Sequence, residues 1–262
     1  MPLDLAIEWF ARLLVLSLII QTCEERSLSY HNDVKDIFTW SIQKGDIGHT
    51  YKIIQRLFDF IFDEKIHHIH LILRLVALIS LVITPLMSAA LFIFLSTIIL
   101  LIRWRGAFNG GSDFMTLVTV TGLVIGTCLS PILDQQAAWT VAFLYVSIHS
   151  ATSYFMSGAV KLLNRHWRNG TALTHFLNGA LYGPLSKRSP FQNPMVAAIA
   201  SSGFILWEIS FPVALFDFDI ARLYCVIAFI FHLLVFRFFG LNRFVWAWAA
   251  TFPALLYCAG RL

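Results

Sequence analysis

The chain has 262 residues, of which 58% are hydrophobic and only 13% charged, and it carries a formal net charge of +4. A soluble domain usually has about 25% charged residues, so composition excludes an ordinary water-soluble globular protein and points to an integral membrane protein. The basic residues sit beside apolar runs instead of forming a solvated face, which argues against nucleic acid as a partner.

At the N-terminus, Asp4 and Glu8 stand where a secretory signal would carry Lys or Arg, and no A-x-A site follows. Residues 3–22 therefore read as a first span or a membrane-dipping helix, weakened by Glu8 and Arg12. A crossing helix needs about 20 mostly apolar residues. By that measure the remaining spans are 71–86, 88–103, 113–132, 137–161, 195–216, 220–239 and 243–260, with Pro85 dividing the long apolar stretch 71–104. The expected fold is an all-α integral membrane protein, a polytopic bundle of seven or eight transmembrane helices in a single domain over residues 1–262.

Two polar regions interrupt this pattern. Residues 23–70 form an amphipathic insertion in which Ile53, Ile54, Leu57, Phe58, Ile61 and Phe62 recur at helical spacing. It fits a helix lying on the membrane surface, or equally a small helical hairpin packed over the bundle. Residues 164–193 form a second, interfacial loop, opened by Trp167, Arg168 and Gly170. Alternating the loops collects almost all Lys and Arg on one side, leaving Arg222 and Arg261 with Asp134, Asp217 and Asp219 on the other. By the positive-inside rule the basic side is cytoplasmic, which suits a bacterial inner membrane and makes both insertions cytoplasmic.

Several groups could carry chemistry. His67, His68 and His70 lack an acidic or cysteine partner at ligand spacing and read as an exposed surface cluster. Cys23, Cys128, Cys225 and Cys258 are far apart, with no zinc pattern, so no metal site is expected. After Arg103 and Arg105, the run Gly106 to Asp113 reads as a tight turn in which Ser112 or Asp113 caps the next helix.

In the fifth span, Ser147, Ser150, Tyr154, Ser157 and Lys161 fall at offsets of 0, 3, 7, 10 and 14. At 100° per residue they share an arc of roughly 80°. This polar stripe is either small-residue helix packing or one wall of a polar cavity. In such a cavity a lysine stripped of water could act as a base. His149 lies on the same helix beside the arc. Glu208 and His232 sit near the middle of the two following spans, and ionisable groups at that depth are functional candidates by default. For Glu208 the structural alternative is a pair with Arg222, Arg237 or His232. For His232 it is a neutral ring donating to a nearby carbonyl.

The run Tyr154-Phe155-Met156-Ser157-Gly158-Ala159-Val160-Lys161-Leu162, followed by Trp167 and Gly170, resembles the signature of the vitamin K-dependent γ-carboxylase-like membrane family, the HTTM group. The Asn109-Gly110-Gly111-Ser112-Asp113 turn, Glu208 with Pro212, and Phe231-His232 are similar to its bacterial members. The resemblance implies that Lys161 is the base that deprotonates a quinol-like lipophilic molecule, and the polar stripe with the buried ionisable residues makes Glu208 or His232 the expected proton relay. Ser150, Tyr154, Ser157, Trp167 and His149 would then contact the substrate, and a peptide would be modified. A different expectation comes from the sporulation-delaying protein B group, which these bacterial members resemble. There the protein is a non-catalytic module that binds a peptide or a partner membrane subunit through residues 23–70 or 164–193.

Overall fold

The structure, a computed structural model, describes residues 1–28, 39–83, 87–103, 110–181 and 183–261. All regular structure among them is helical. Among the described residues, four helices are both long and apolar enough to cross a membrane: α4 (Glu64–Ile83), α6 (Gly110–Leu129), α10 (Pro194–Ser210, continued by a 3-10 turn to Leu215) and α11 (Phe218–Phe239). They are fewer than the spans expected from sequence. The first helix, α1 (Leu3–Leu28), is 26 residues long but carries Asp4, Glu8 and Arg12 near one end and Glu24, Glu25 and Arg26 near the other. Beside α4 packs α5, of which Met87–Arg103 are described. The stripe helix α7 (Gln135–Leu163) has 29 residues, with hydroxyls and amides diluting its apolar face. The expected last span, 243–260, is two short helices, α12 (Asn242–Ala249) and α13 (Phe252–Cys258), with Pro253 in the first turn of the second.

The chain forms two compact units. Unit 2, Ala11–Trp139, is built on α4, α5 and α6, which pack in sequence order around Leu71, Leu78, Ile93, Leu100 and Val120. Before them come α2 (Trp40–Gln43) and α3 (Lys52–Ile61). The apolar residues expected on one face of α3 divide here. Phe58 and Ile61 pack with Phe62 against Trp40 and Ile47, whereas Ile53 and Leu57 remain exposed. Trp40 Nε1 donates to Asp59 Oδ1 at 2.8 Å, and the Gln55 amide donates to the carbonyls of Gly48 and Thr50, so α3 is tied to the turn before it. Ser112 and Asp113 do not precede α6 as an N-cap residue would. The helix starts at Gly110, so both lie in its first turn and are buried, while residues 104–109 of the expected turn, Arg105 among them, lie outside the described residues.

Unit 1, Met1–Phe10 with Thr140–Leu262, contains most of α7, then α8 (Arg165–Arg168), α9 (Thr171–Asn178), α10, α11, α12 and α13. Three of its helices are capped at their starts by side chains. Asn164 accepts from the His166 amide, Asn193 from Met195, and Asp217 from both Asp219 and Ile220. Each satisfies amides that the first turn leaves without a partner. Gly240, at φ 69°, ends α11 in the left-handed region that a side chain would oppose. Pro212 lies where α10 tightens into its 3-10 turn.

Candidate functional site

The site lies in unit 1, where α7 meets α10. At Gly158 the two helices touch so closely that an added Cβ would fall 2.8 Å from Glu208 Cβ, Ile209 Cγ1 and the Ile209 amide nitrogen. Glycine is what permits this approach. One turn on, the approach delivers Lys161 to Glu208. The ammonium donates to Glu208 Oε1, to Glu208 Oε2 and to Ser157 Oγ, each at 2.7 Å. Its side chain is 16% exposed and that of Glu208 2%. The ammonium also lies 4.6 Å from the Phe204 ring centroid and 5.4 Å from that of Trp167, within cation–π range. Lys161 therefore turns inward to a carboxylate and two aromatic faces rather than snorkelling outward.

Further along α7, Tyr154 builds a second, aromatic layer. Its hydroxyl meets His232 Nε2 at 2.8 Å. The Tyr154 ring stacks on Phe211 with centroids 4.0 Å apart, leans on Trp248 at 4.4 Å and meets the edge of Trp207. His232 in turn lies flat against Trp248. Phe204 touches Trp207, so an unbroken run of rings leads from Tyr154 to the cation at Lys161. His232 Nδ1, Trp207 Nε1 and Trp248 Nε1 are buried with no hydrogen-bond partner among the described residues, and all three belong to rings that touch Tyr154.

The other residues singled out from sequence divide. Trp167 joins the lysine, and its backbone carbonyl accepts a short hydrogen bond from Ser201 Oγ. Ser150 faces Thr251, with their hydroxyls 3.3 Å apart. His149 lies apart on an exposed face, its Nδ1 bonded to the Tyr145 carbonyl at 2.9 Å and its ring on Tyr145. Sequence reasoning passed over the walls of the site, Phe204, Trp207 and Phe211 on the α10 segment and Trp248 on α12. The first three stand at i, i+3 and i+7, one face of a helix, and that spacing could have revealed them. Two cavities lie along α10. One, of about 320 Å³, is lined by residues of the 169–197 region, and the other, of about 440 Å³, runs over Ala198, Ile199, Ser202, Gly203 and Leu206. Neither is lined by Lys161, Glu208, Tyr154 or His232.

Unit 2 has its own buried polar centre, which the sequence reading missed altogether. Arg74, wholly buried on α4, donates to Thr22 Oγ1, Gln21 Oε1, Ser96 Oγ, Thr97 Oγ1 and the Ile93 carbonyl. The histidines are not an exposed cluster as expected. His67 is buried, and His70 meets Ser96 Oγ at 2.7 Å. Among the described residues no group of three or more His, Cys, Asp or Glu side chains is placed to hold a metal ion.

Comparison with protein-family models, curated proteins and solved structures finds no match to this chain.

Proposed function

We propose that this is a polytopic protein of a bacterial inner membrane, crossing the bilayer about eight times with its basic loops cytoplasmic, and that Lys161 and Glu208 form a proton-transfer centre for a lipophilic, quinol-like substrate. The observation that carries the reading is the inward ammonium, held 2.7 Å from both Glu208 oxygens and flanked by Phe204 and Trp167. A lysine serving only as an interfacial anchor would direct its charge to water. Once Lys161 passes its proton to Glu208, its amine accepts the proton of a substrate hydroxyl, and the ammonium so formed balances the new oxyanion. Phe204 and Trp167 suit a flat ring beside that nitrogen. Tyr154 and His232 supply a second hydrogen-bonded pair along the same aromatic run, able to relay a proton. Resemblance to the HTTM family supports the same role for Lys161 and suggests a peptide as the final acceptor.

Purified protein given a reduced naphthoquinone and oxygen should form quinone or epoxide, and Lys161→Ala should abolish it. Equal rates in the two proteins would overturn the proposal.

The exposed apolar residues Ile53, Leu57 and Phe60 on α3 favour a second reading, a non-catalytic module that binds a peptide or a partner membrane subunit. Under that reading, removing residues 23–70 abolishes co-purification of a partner, whereas Lys161→Ala does not.

A further inference from the structure

Four residues of α10, Ala197, Ser201, Phe204 and Glu208, stand at i, i+4, i+7 and i+11 and so share one face of the helix. Each meets the stretch from Lys161 to Gly170. Glu208 and Phe204 contact the ammonium directly. Ala197 lies beneath Gly170, where φ is 78° and an added Cβ would fall 2.4 Å from the Ala197 carbonyl carbon. Between them Ser201, wholly buried, donates its hydroxyl hydrogen to the backbone carbonyl of Trp167.

That carbonyl sits on α8, a single turn of four residues. A helix so short cannot hold its own geometry and depends on what it is tied to. Arg168 Nη1 ties it to the Leu162 carbonyl at 3.0 Å, and the Trp167 carbonyl also accepts from the Gly170 amide at 3.1 Å. Ser201 adds the tie to α10, the helix that carries Glu208. The Trp167 ring is thereby held with its centroid 5.4 Å from the Lys161 ammonium, and it stacks on Phe176 with centroids 5.5 Å apart. With the Lys161 side chain only 16% exposed, a ring at that distance is part of what keeps water from the nitrogen.

We propose that Ser201 is a positioning residue, which fastens the Trp167 backbone to α10, keeps the Trp167 ring over the Lys161 ammonium and so limits access to that nitrogen. The inference deepens the reading of Lys161 as a working amine, and it rests on that reading only for its consequence in turnover.

The test uses the full chain in nanodiscs and two measurements that need no turnover. Fluorine NMR of protein labelled with 5-fluorotryptophan follows the Trp167 ring, its resonance assigned by Trp167→Phe. Acetylation by acetic anhydride, read by peptide mass spectrometry against the exposed Lys187, follows access to Lys161. Ser201→Ala should displace the Trp167 resonance and speed Lys161 acetylation about threefold, the factor that one hydrogen bond between helices contributes in a bilayer. Trp167→Ala should speed it at least as much. Ser202→Ala, one position along and exposed, should change neither. Unaltered acetylation in Ser201→Ala would overturn the proposal. So would faster acetylation with the Trp167 resonance in place, since the hydroxyl would then act by another route, or displacement of the other tryptophan resonances together with it, which marks a general loosening of unit 1. Failure of the base reading shows elsewhere, as unaltered quinol turnover in Lys161→Ala, and is thus told apart from failure of the Ser201 assignment.

Discussion

Two inward-facing cations in this protein are accommodated in opposite ways. Lys161 in unit 1 meets a single carboxylate, which takes two of its three short hydrogen bonds. Arg74 in unit 2 spreads its donors over three hydroxyls, one amide oxygen and one backbone carbonyl, contributed by α1 and α5. The first arrangement concentrates charge on one movable proton. The second distributes it over groups that neither accept nor release a proton readily, while fastening three helices together. The guanidinium suits the second role, since its fixed fork of five N–H groups can reach several partners at once, and a compact ammonium suits the first.

The largest expected effect tests the distributed site. Arg74→Met should destabilise unit 2 by about 3–5 kcal/mol, because it strands the buried oxygens that the guanidinium satisfies, and the loss should appear in thermal unfolding in detergent. Glu208→Gln should cost nearly as much in unit 1, leaving an ammonium without its counter-charge. The contrast sharpens in a double variant. Lys161→Met with Glu208→Leu should recover most of that stability, since removing both members of a pair leaves no orphan. No single second substitution should rescue Arg74→Met. If rescue of the pair fails, it is not the self-contained unit described above.

Smaller effects probe the packing that holds the pair. Gly158→Ala should cost about 1–3 kcal/mol, since its methyl would meet the Ile209 backbone and force α7 and α10 apart. The same change should lower turnover with quinol more than it lowers stability. Tyr154→Phe should cost least, about 0.6–1.7 kcal/mol, the range for a hydrogen bond between helices in a bilayer. Its clearer readout is the His232 ring environment by NMR, which should change if the hydroxyl bond at 2.8 Å is present in solution.

Much of the scaffold was legible from residues. Hydropathy located α4, α6, α10 and α11 to within a few residues at most ends, whereas Pro85, expected to divide the long apolar stretch, lies outside the described residues. Helical spacing gathered Tyr154, Ser157 and Lys161 onto one arc. What spacing along one helix cannot give is a partner on another. The candidates offered for Glu208 were Arg222, Arg237 and His232, yet its partner is Lys161, 47 residues away, while Arg222 pairs with Asp219. Arg74 was missed for a different reason. Its apolar neighbours outweigh one charge in any averaged hydropathy, and the polar groups that satisfy it come from distant segments. The last expected span is two helices and not one because apolar content alone does not require a continuous helix, and α12 and α13 bury their alanines as separate pieces.

The length of α7 has a mechanical consequence in the proposed bilayer. At 1.5 Å per residue its 29 residues reach about 43 Å, against roughly 30 Å of hydrocarbon. A tilt of about 20°, usual for such helices, shortens that reach only to about 40 Å. About one turn must emerge at each end, and those turns hold Gln135 and Gln136 at one extremity and Lys161 at the other. Membrane thickness thus sets how deep the ammonium is drawn, and a thicker bilayer would bury the pair further.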